Sequence, residues 1–207
     1  HISLIDEKYF HQILNTQHPQ HIMALLPINE PYIMSNLDYS SEAIPLTGTI
    51  NNPTDGSLTG ENILILDGIS DPGNMGSLLR SAVWYNFDTV IFSTNCVDIY
   101  NPKAVRSGMG AHFYISDFIT GNLVEIINIL KKNKYHIIGA ALDGTPYKKM
   151  KINNKPWGLI LGSEAHGISE ELYKVIDQRI SIPQRGPIES LNVAIAGSIL
   201  LDRLIHE

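Results

Sequence analysis

Three loops carry groups able to do chemistry, and each follows an apolar run. The first reads Asp67-Gly-Ile-Ser-Asp-Pro-Gly-Asn74-Met-Gly76-Ser-Leu-Leu-Arg80-Ser-Ala. It leads into a helical pattern in which Asn74 is a reasonable N-cap. At 100° per residue Leu78, Leu79, Ala82 and Val83 share one face, the core face. Arg80 falls on the opposite stripe with Gly73, Gly76, Ser77 and Trp84, where small residues leave room for something to approach. The Gly-Lys-Ser/Thr ending of a phosphate loop and the Gly-x-Gly-x-x-Gly of a dinucleotide site are both missing. A capped helix with a surface arginine fits the segment equally well.

The second loop is Gly158-Leu-Ile-Leu-Gly162-Ser-Glu164-Ala-His166-Gly167-Ile-Ser169. It sets a carboxylate able to accept hydrogen bonds beside an imidazole, in a tight turn after a buried strand. A turn with a solvated glutamate is the plainer alternative. The third is Ile180-Ser-Ile182-Pro-Gln-Arg185-Gly-Pro-Ile-Glu189-Ser190-Leu191-Asn192-Val-Ala-Ile-Ala-Gly. Ser190 and Asn192 stand where a helix begins, and free N–H groups there favour an anion. Either residue could simply cap that helix. Ala194, Ala196 and Gly197 would let the helix pack closely, within the chain or against a second copy. No His or carboxylate set has metal-ligand spacing, and Cys96 is the only cysteine, so neither a metal site nor a disulfide framework is expected.

The elements that must position these loops follow from periodicity. Ile63–Leu66, Thr89–Ser93, His136–Ala141 and Gly158–Leu161 read as strands. Leu123–Lys132, a segment from Glu170 behind a Ser169 cap, and about Ser190–Leu204 read as helices. Strands alternating with helices predict an α/β fold with a mostly parallel sheet flanked by helices. In such sheets ligands bind beyond the carboxyl ends of the strands, where all three loops lie. Upstream, Tyr9, Phe10, Ile13 and Leu14 fit one helix face and His21–Leu26 a short strand. We divide the chain into a small partial α/β segment over residues 1–44, a Pro/Gly/Asn-rich linker over 45–60, and the main domain over 61–207.

The chain has 207 residues, 43% hydrophobic and 17% charged, with a formal net charge of −6. That composition excludes global disorder, and no apolar run approaches the ~18 residues of a membrane span. The negative charge is the wrong sign for a nucleic-acid binder. Its distribution softens that objection. Residues 1–60 hold one base and six acids, whereas residues 61–207 hold fourteen bases and fifteen acids and could carry a basic face. The chain starts His1-Ile2-Ser3, which reads as a trimmed N-terminus. With one thiol and no apolar leader in the sequence, a cytoplasmic location is the expectation.

Together, in this order and spacing, the loops resemble the SpoU (TrmH-type) family of SPOUT RNA methyltransferases over residues 61–206. The matching motifs are Asp71-Pro-Gly-Asn74-Met-Gly76…Arg80, Asn101-Pro-Lys103-Ala-Val-Arg106-Ser-Gly-Met-Gly110, Leu161-Gly162-Ser-Glu164…Gly167 and Ile182-Pro…Glu189-Ser190-Leu191-Asn192-Val193. The resemblance implies methyl transfer from S-adenosylmethionine to a ribose 2′-hydroxyl of rRNA or tRNA. It also implies a C-terminal deep trefoil knot and a homodimer. By resemblance the catalytic set is Arg80, Asn74, Glu164, Ser190 and Asn192. Arg80 would either grip a phosphate and orient the hydroxyl or, with a strongly lowered pKa, take its proton. Gly162, Ile182, Leu191 and Ala140 match the family's cofactor contacts. Lys103, Arg106 and Arg185 are candidates for RNA phosphates, with solvated surface charge as their alternative. Residues 1–28, notably Gln17-His-Pro-Gln-His-Ile-Met-Ala24, resemble part of a ribosomal-protein-like domain and favour rRNA over tRNA. A fold-retaining RNA-binding protein without catalysis, and a SPOUT enzyme that methylates a base, are the rival readings.

Overall fold

The computed structural model describes residues 31–33, 62–151 and 156–206. The helix and strand expected within residues 1–28, and the linker over 45–60, lie outside the described residues. The elements run β1 (Tyr32–Ile33), β2 (Ile63–Asp67), α1 (Pro72–Trp84), β3 (Thr89–Ser93), α2 (Pro102–Gly108), β4 (Asp117–Gly121), α3 (Leu123–Lys132), β5 (His136–Pro146), β6 (Trp157–Gly162), α4 (Glu170–Tyr173), β7 (Gln178–Ser181) and α5 (Val193–Ile205). They form one seven-stranded sheet in the order β1-β4-β3-β2-β6-β5-β7. Every pairing in it is parallel.

A parallel sheet with helices on both faces buries its central strands on both sides, so they read as unbroken apolar runs. β2 illustrates this, since all five of its residues are buried. Its side chains alternate between faces. Leu64 and Leu66 join a core cluster with Met75, Leu78 and Leu79 of α1 and Leu200, Leu201 and Leu204 of α5. Ile63 and Ile65 join a second cluster with Leu123, Ile126, Ile127 and Leu130 of α3 and Leu172 of α4. The sheet and the described helices packed on it therefore form three layers, with α1 and α5 on one face and α3 and α4 on the other.

β3 recurs with the expected bounds and β2 and β6 with edges moved by one residue, and only β5 departs further. It continues past Ala141 to Pro146, and Ala140 and Thr145 both pair with Ile180 across an irregularity in the ladder. Three elements, β1, β4 and α2, have no counterpart among the sequence expectations. β1, from the segment placed upstream, adds two residues to the β4 edge. No helix among the described residues is long and apolar enough to cross a membrane.

Candidate active site

The sheet brings the first two loops together directly. β2 and β6 are neighbours, with Asp67 opposite Gly162 at their carboxyl ends. The chain therefore leaves both strands side by side. Asp67, buried, accepts a hydrogen bond from Ser169 N (2.8 Å), which fastens the end of the second loop to the start of the first. Within the second loop Ser163 and Gly167 pair as a narrow antiparallel bridge. Gly162 is required there because a Cβ would stand 2.1 Å from the Gly167 carbonyl carbon and 2.2 Å from Ile168 N. Glu164 projects, exposed, from the tip.

The first loop corrects one sequence expectation. The N-cap of α1 is Asp71, not Asn74. Asp71 Oδ1 accepts from Asn74 N at 2.8 Å, and Pro72 follows as the first helical residue. Pro at N1 loses nothing because that N–H has no helical partner, and an acceptor just before it completes the start signal. Asn74 thus sits inside the first turn with its amide free for tertiary bonds. Asp71 also accepts from Lys103 Nζ at 2.8 Å. That bond, with the Asn74 N–H, holds the Asp71 carboxyl below its ordinary pKa.

Asn74 is the junction of the site. Its Nδ2 donates to Glu164 Oε1 at 2.6 Å, and its Oδ1 accepts from Asn192 Nδ2 at 2.9 Å. The direction of this chain is fixed from one end. Asn192 is the N-cap of α5, with Oδ1 accepting from Ala194 N (2.9 Å) and Ile195 N (3.3 Å). Its remaining amide group can only donate, so Asn74 must receive there and donate onward to the Glu164 carboxylate. Glu164 and Asn192, 90 and 118 positions from Asn74, thereby join it in one polarised chain. Glu164 Oε2 makes no bond to another described residue and remains an acceptor for a ligand.

The third loop reaches this point because α5 packs back beside α1. Ser81 and Ser198 hydroxyls meet at 2.7 Å, and Gly197 lies under Leu78 and Leu161, whose methyls would stand 2.7 and 2.6 Å from a Cβ. The small residues of α5 therefore serve packing within the chain at Ala194 and Gly197. Between β7 and α5, residues 182–191 border a cavity of ≈ 360 Å³ whose lining includes Ala140, Leu142, Ile182, Ser190, Leu191 and Ala196. That volume and its largely apolar wall suit a small organic ligand.

The structure thus gathers Asn74, Glu164 and Asn192 in one hydrogen-bonded chain, and Ala140, Ile182, Ser190 and Leu191 around one cavity. Gly162 does not line that cavity; it closes the turn that holds Glu164. Arg80 is exposed on α1 and makes no side-chain hydrogen bond or ion pair to another described residue. The room expected beside it at Gly76 is taken by α2, since a Cβ there would stand 2.0 Å from Ser107 Oγ and 2.2 Å from the Ala104 carbonyl oxygen. Lys103 shares its charge with Asp71, Arg106 is exposed on α2, and Arg185 borders the cavity. No group of three or more His, Cys, Asp or Glu able to hold a metal occurs among the described residues. Sequence reasoning misses Asp71 and Asp67. The Asp-Pro step is a readable signal for Asp71, whereas Asp67 becomes functional only because β6 lies next to β2.

The SpoU rRNA Methylase family model matches residues 61–202. The chain is 33% identical over 153 residues to the 23S rRNA (guanosine(2553)-2'-O)-methyltransferase RlmP of Bacillus subtilis, covering 73% of this chain and 61% of that protein. It therefore spans less than two thirds of that relative's length. A putative RNA methyltransferase of the TrmH family from Porphyromonas gingivalis superposes with a TM-score of 0.63 at 36% identity, over 73% of this chain and 62% of that one. An AdoMet-bound rRNA methyltransferase from Sinorhizobium meliloti superposes with a TM-score of 0.66 at 30% identity, over 70% and 55%. With the family model spanning all three loops and the sheet that joins them, the chain belongs to the SpoU rRNA methylase family.

Proposed function

We propose that this chain transfers a methyl group from S-adenosylmethionine to a ribose 2′-hydroxyl of RNA. The observation that carries the reading is the Glu164–Asn74–Asn192 chain, which unites all three loops at the rim of the 182–191 segment. S-adenosylmethionine supplies a methyl activated by attachment to a sulfonium sulfur. Ala140, Ile182 and Leu191 would hold its adenosine part in the cavity, with Gly162 keeping the adjoining turn closed. Ser190 and Asn192 would fix the loop against the methionine part. Glu164 Oε2 would accept a hydrogen bond from a ligand hydroxyl or ammonium.

Because such a transfer would discharge the sulfonium, the site would have no large new anion to stabilise. The chain's part would be to hold the target hydroxyl and the bound methyl donor in reacting positions, which can supply several kcal/mol of barrier lowering. Arg80 would grip the phosphate beside the target ribose through its planar fork and orient the hydroxyl, whose proton leaves late to water. A guanidinium with its usual pKa above ~12 is a poor base. Lys103, Arg106 and Arg185 would add phosphate contacts. A ribosomal RNA target, favoured over tRNA, and a cytoplasmic setting fit the family's name and the relatives above. A homodimer fits the exposed apolar residues Trp84 on α1 and Ile195 on α5, helices already joined by the Ser81–Ser198 bond. The C-terminal knot, and an N-terminal RNA-binding segment ahead of the linker, belong to the same reading.

Calorimetry with S-adenosylhomocysteine tests it. The parent chain is expected to bind one ligand per chain or per dimer, and Leu191→Pro to lose binding. Arg80→Ala should bind as the parent does, yet methylate RNA about a hundredfold more slowly or worse, with the label mapping to sugar in digested product. No binding at millimolar ligand would overturn the reading. A near-parental rate for Arg80→Lys would overturn the phosphate grip, because lysine lacks the fork.

A further inference from the structure

One surface is left over by this mechanism. α2 ends at Met109, whose left-handed backbone (φ 49°) is followed by Gly110 (φ 89°) and a single 3-10 turn over Ala111–Phe113. Four large apolar side chains stand out of this stretch. Val105 is 40% exposed, Met109 73%, Phe113 69% and Tyr114 72%. Val105 and Met109 lie one helical turn apart. Phe113 Cδ2 lies 3.9 Å from the position a Gly110 Cβ would take, so its ring folds back over the turn. Between Asp98 and Asp117 the stretch carries Lys103, Arg106 and His112, and with Lys103 paired to Asp71 its exposed Arg106 is the cation left for a ligand. The segment is bolted to the site: Lys103 pairs with the α1 N-cap Asp71, and Ser107 Oγ donates to the Pro72 carbonyl at 3.3 Å.

We propose that α2 and the turn after it form a platform for single-stranded RNA, in which Phe113 and Tyr114 stack on unpaired bases and Arg106 meets an adjacent phosphate. Exposed rings on the turn that follows a helix bearing an exposed arginine match the alternation of base and phosphate along a strand. A duplex keeps its bases stacked on each other and offers these rings nothing. The proposal rests on RNA being the substrate, and it places the strand on the Asp71 side of the Asn74 junction.

The test is fluorescence anisotropy at low salt with an end-labelled, unstructured RNA of mixed sequence, alone and annealed to its complement. The single strand should bind the parent more tightly than the duplex. Phe113→Leu and Tyr114→Leu should each weaken single-strand binding by about fivefold to a hundredfold, and Phe113→Tyr should retain it. Arg106→Gln should lower the slope of log affinity against log salt by about 0.7. Unchanged single-strand affinity in both leucine variants would overturn the platform. So would a shift of those variants from dimer to monomer in sedimentation, which would make the surface a contact between copies. S-adenosylhomocysteine calorimetry on the same samples separates the two readings. Failure of the parent to bind that ligand counts against methyl transfer, whereas loss of anisotropy signal in the leucine variants concerns the platform alone.

Discussion

The two sides of the site are held by different means. On one side Glu164, Asn74 and Asn192 are tied by side-chain hydrogen bonds between three elements, over a floor of buried strand ends. On the other, residues 183–191 are all exposed. There the side-chain bonds are local, from Gln184 Nε2 to the Gly186 and Ile188 carbonyl oxygens at 2.8 and 2.9 Å. A polar group used to orient a reaction needs partners that restrict it in several directions, and such partners come from different parts of the chain. A wall that shapes a cavity needs only its backbone path. The difference separates a side that positions from a side that encloses.

Breaking the positioning side should have the largest effect. Asn74→Ala removes both bonds at once, and methyl transfer should fall about a hundredfold with S-adenosylhomocysteine affinity nearly unchanged. A comparable loss of ligand affinity would show that Asn74 holds the cofactor instead. Next comes Gly162→Ala, which forces a Cβ against the Gly167 backbone and should cost about 1–3 kcal/mol in denaturant unfolding. On the enclosing side Gln184→Ala should be milder, about 1 kcal/mol or less, read as a small rise in KM for the cofactor with kcat retained. If Gln184→Ala instead matched Asn74→Ala in kcat, the contrast between the two sides would collapse.

The smallest effect concerns acid. Asp71 is held below its ordinary pKa, first by its hydrogen bond from Lys103 and then by the Asn74 N–H. A depressed carboxyl contributes stability that is complete above its unfolded pKa of about 3.9 and is lost as pH falls through the folded value. The parent should therefore lose more stability below about pH 4 than Asp71→Asn does. Because the pair is solvent-exposed, the difference should be small and shrink further in high salt. Equal acid sensitivity in the two proteins would remove the Lys103 link from the positioning side.

Much of the frame is legible in the sequence. The apolar runs at Ile63–Leu66 and Gly158–Leu161 can be read because strands buried on both faces need apolar residues at every position. α3 can be read because its Leu123, Ile126, Ile127 and Leu130 repeat at the helical period. β4 and α2 cannot, because Asp117–Gly121 mixes polar and apolar residues and Pro102–Gly108 buries only Ala104 and Gly108. The cap of α1 is legible in Asp71-Pro72, because Pro fits the first helical position and an acceptor stands just before it. What no local pattern records is the pair of tertiary partners that Asn74, freed from capping, meets.

By itself the sequence determined the alternation of strands and helices, the three polar loops and their place after strands, since these depend on periodicity and turn chemistry within a few residues. The tertiary structure decided which loops meet. Strand order set β6 beside β2, and the return of α5 onto α1 carried Asn192 to Asn74. Those choices depend on packing between segments 90 and 118 positions apart. Hydrophobic contacts of that range are non-directional, and no local pattern records them.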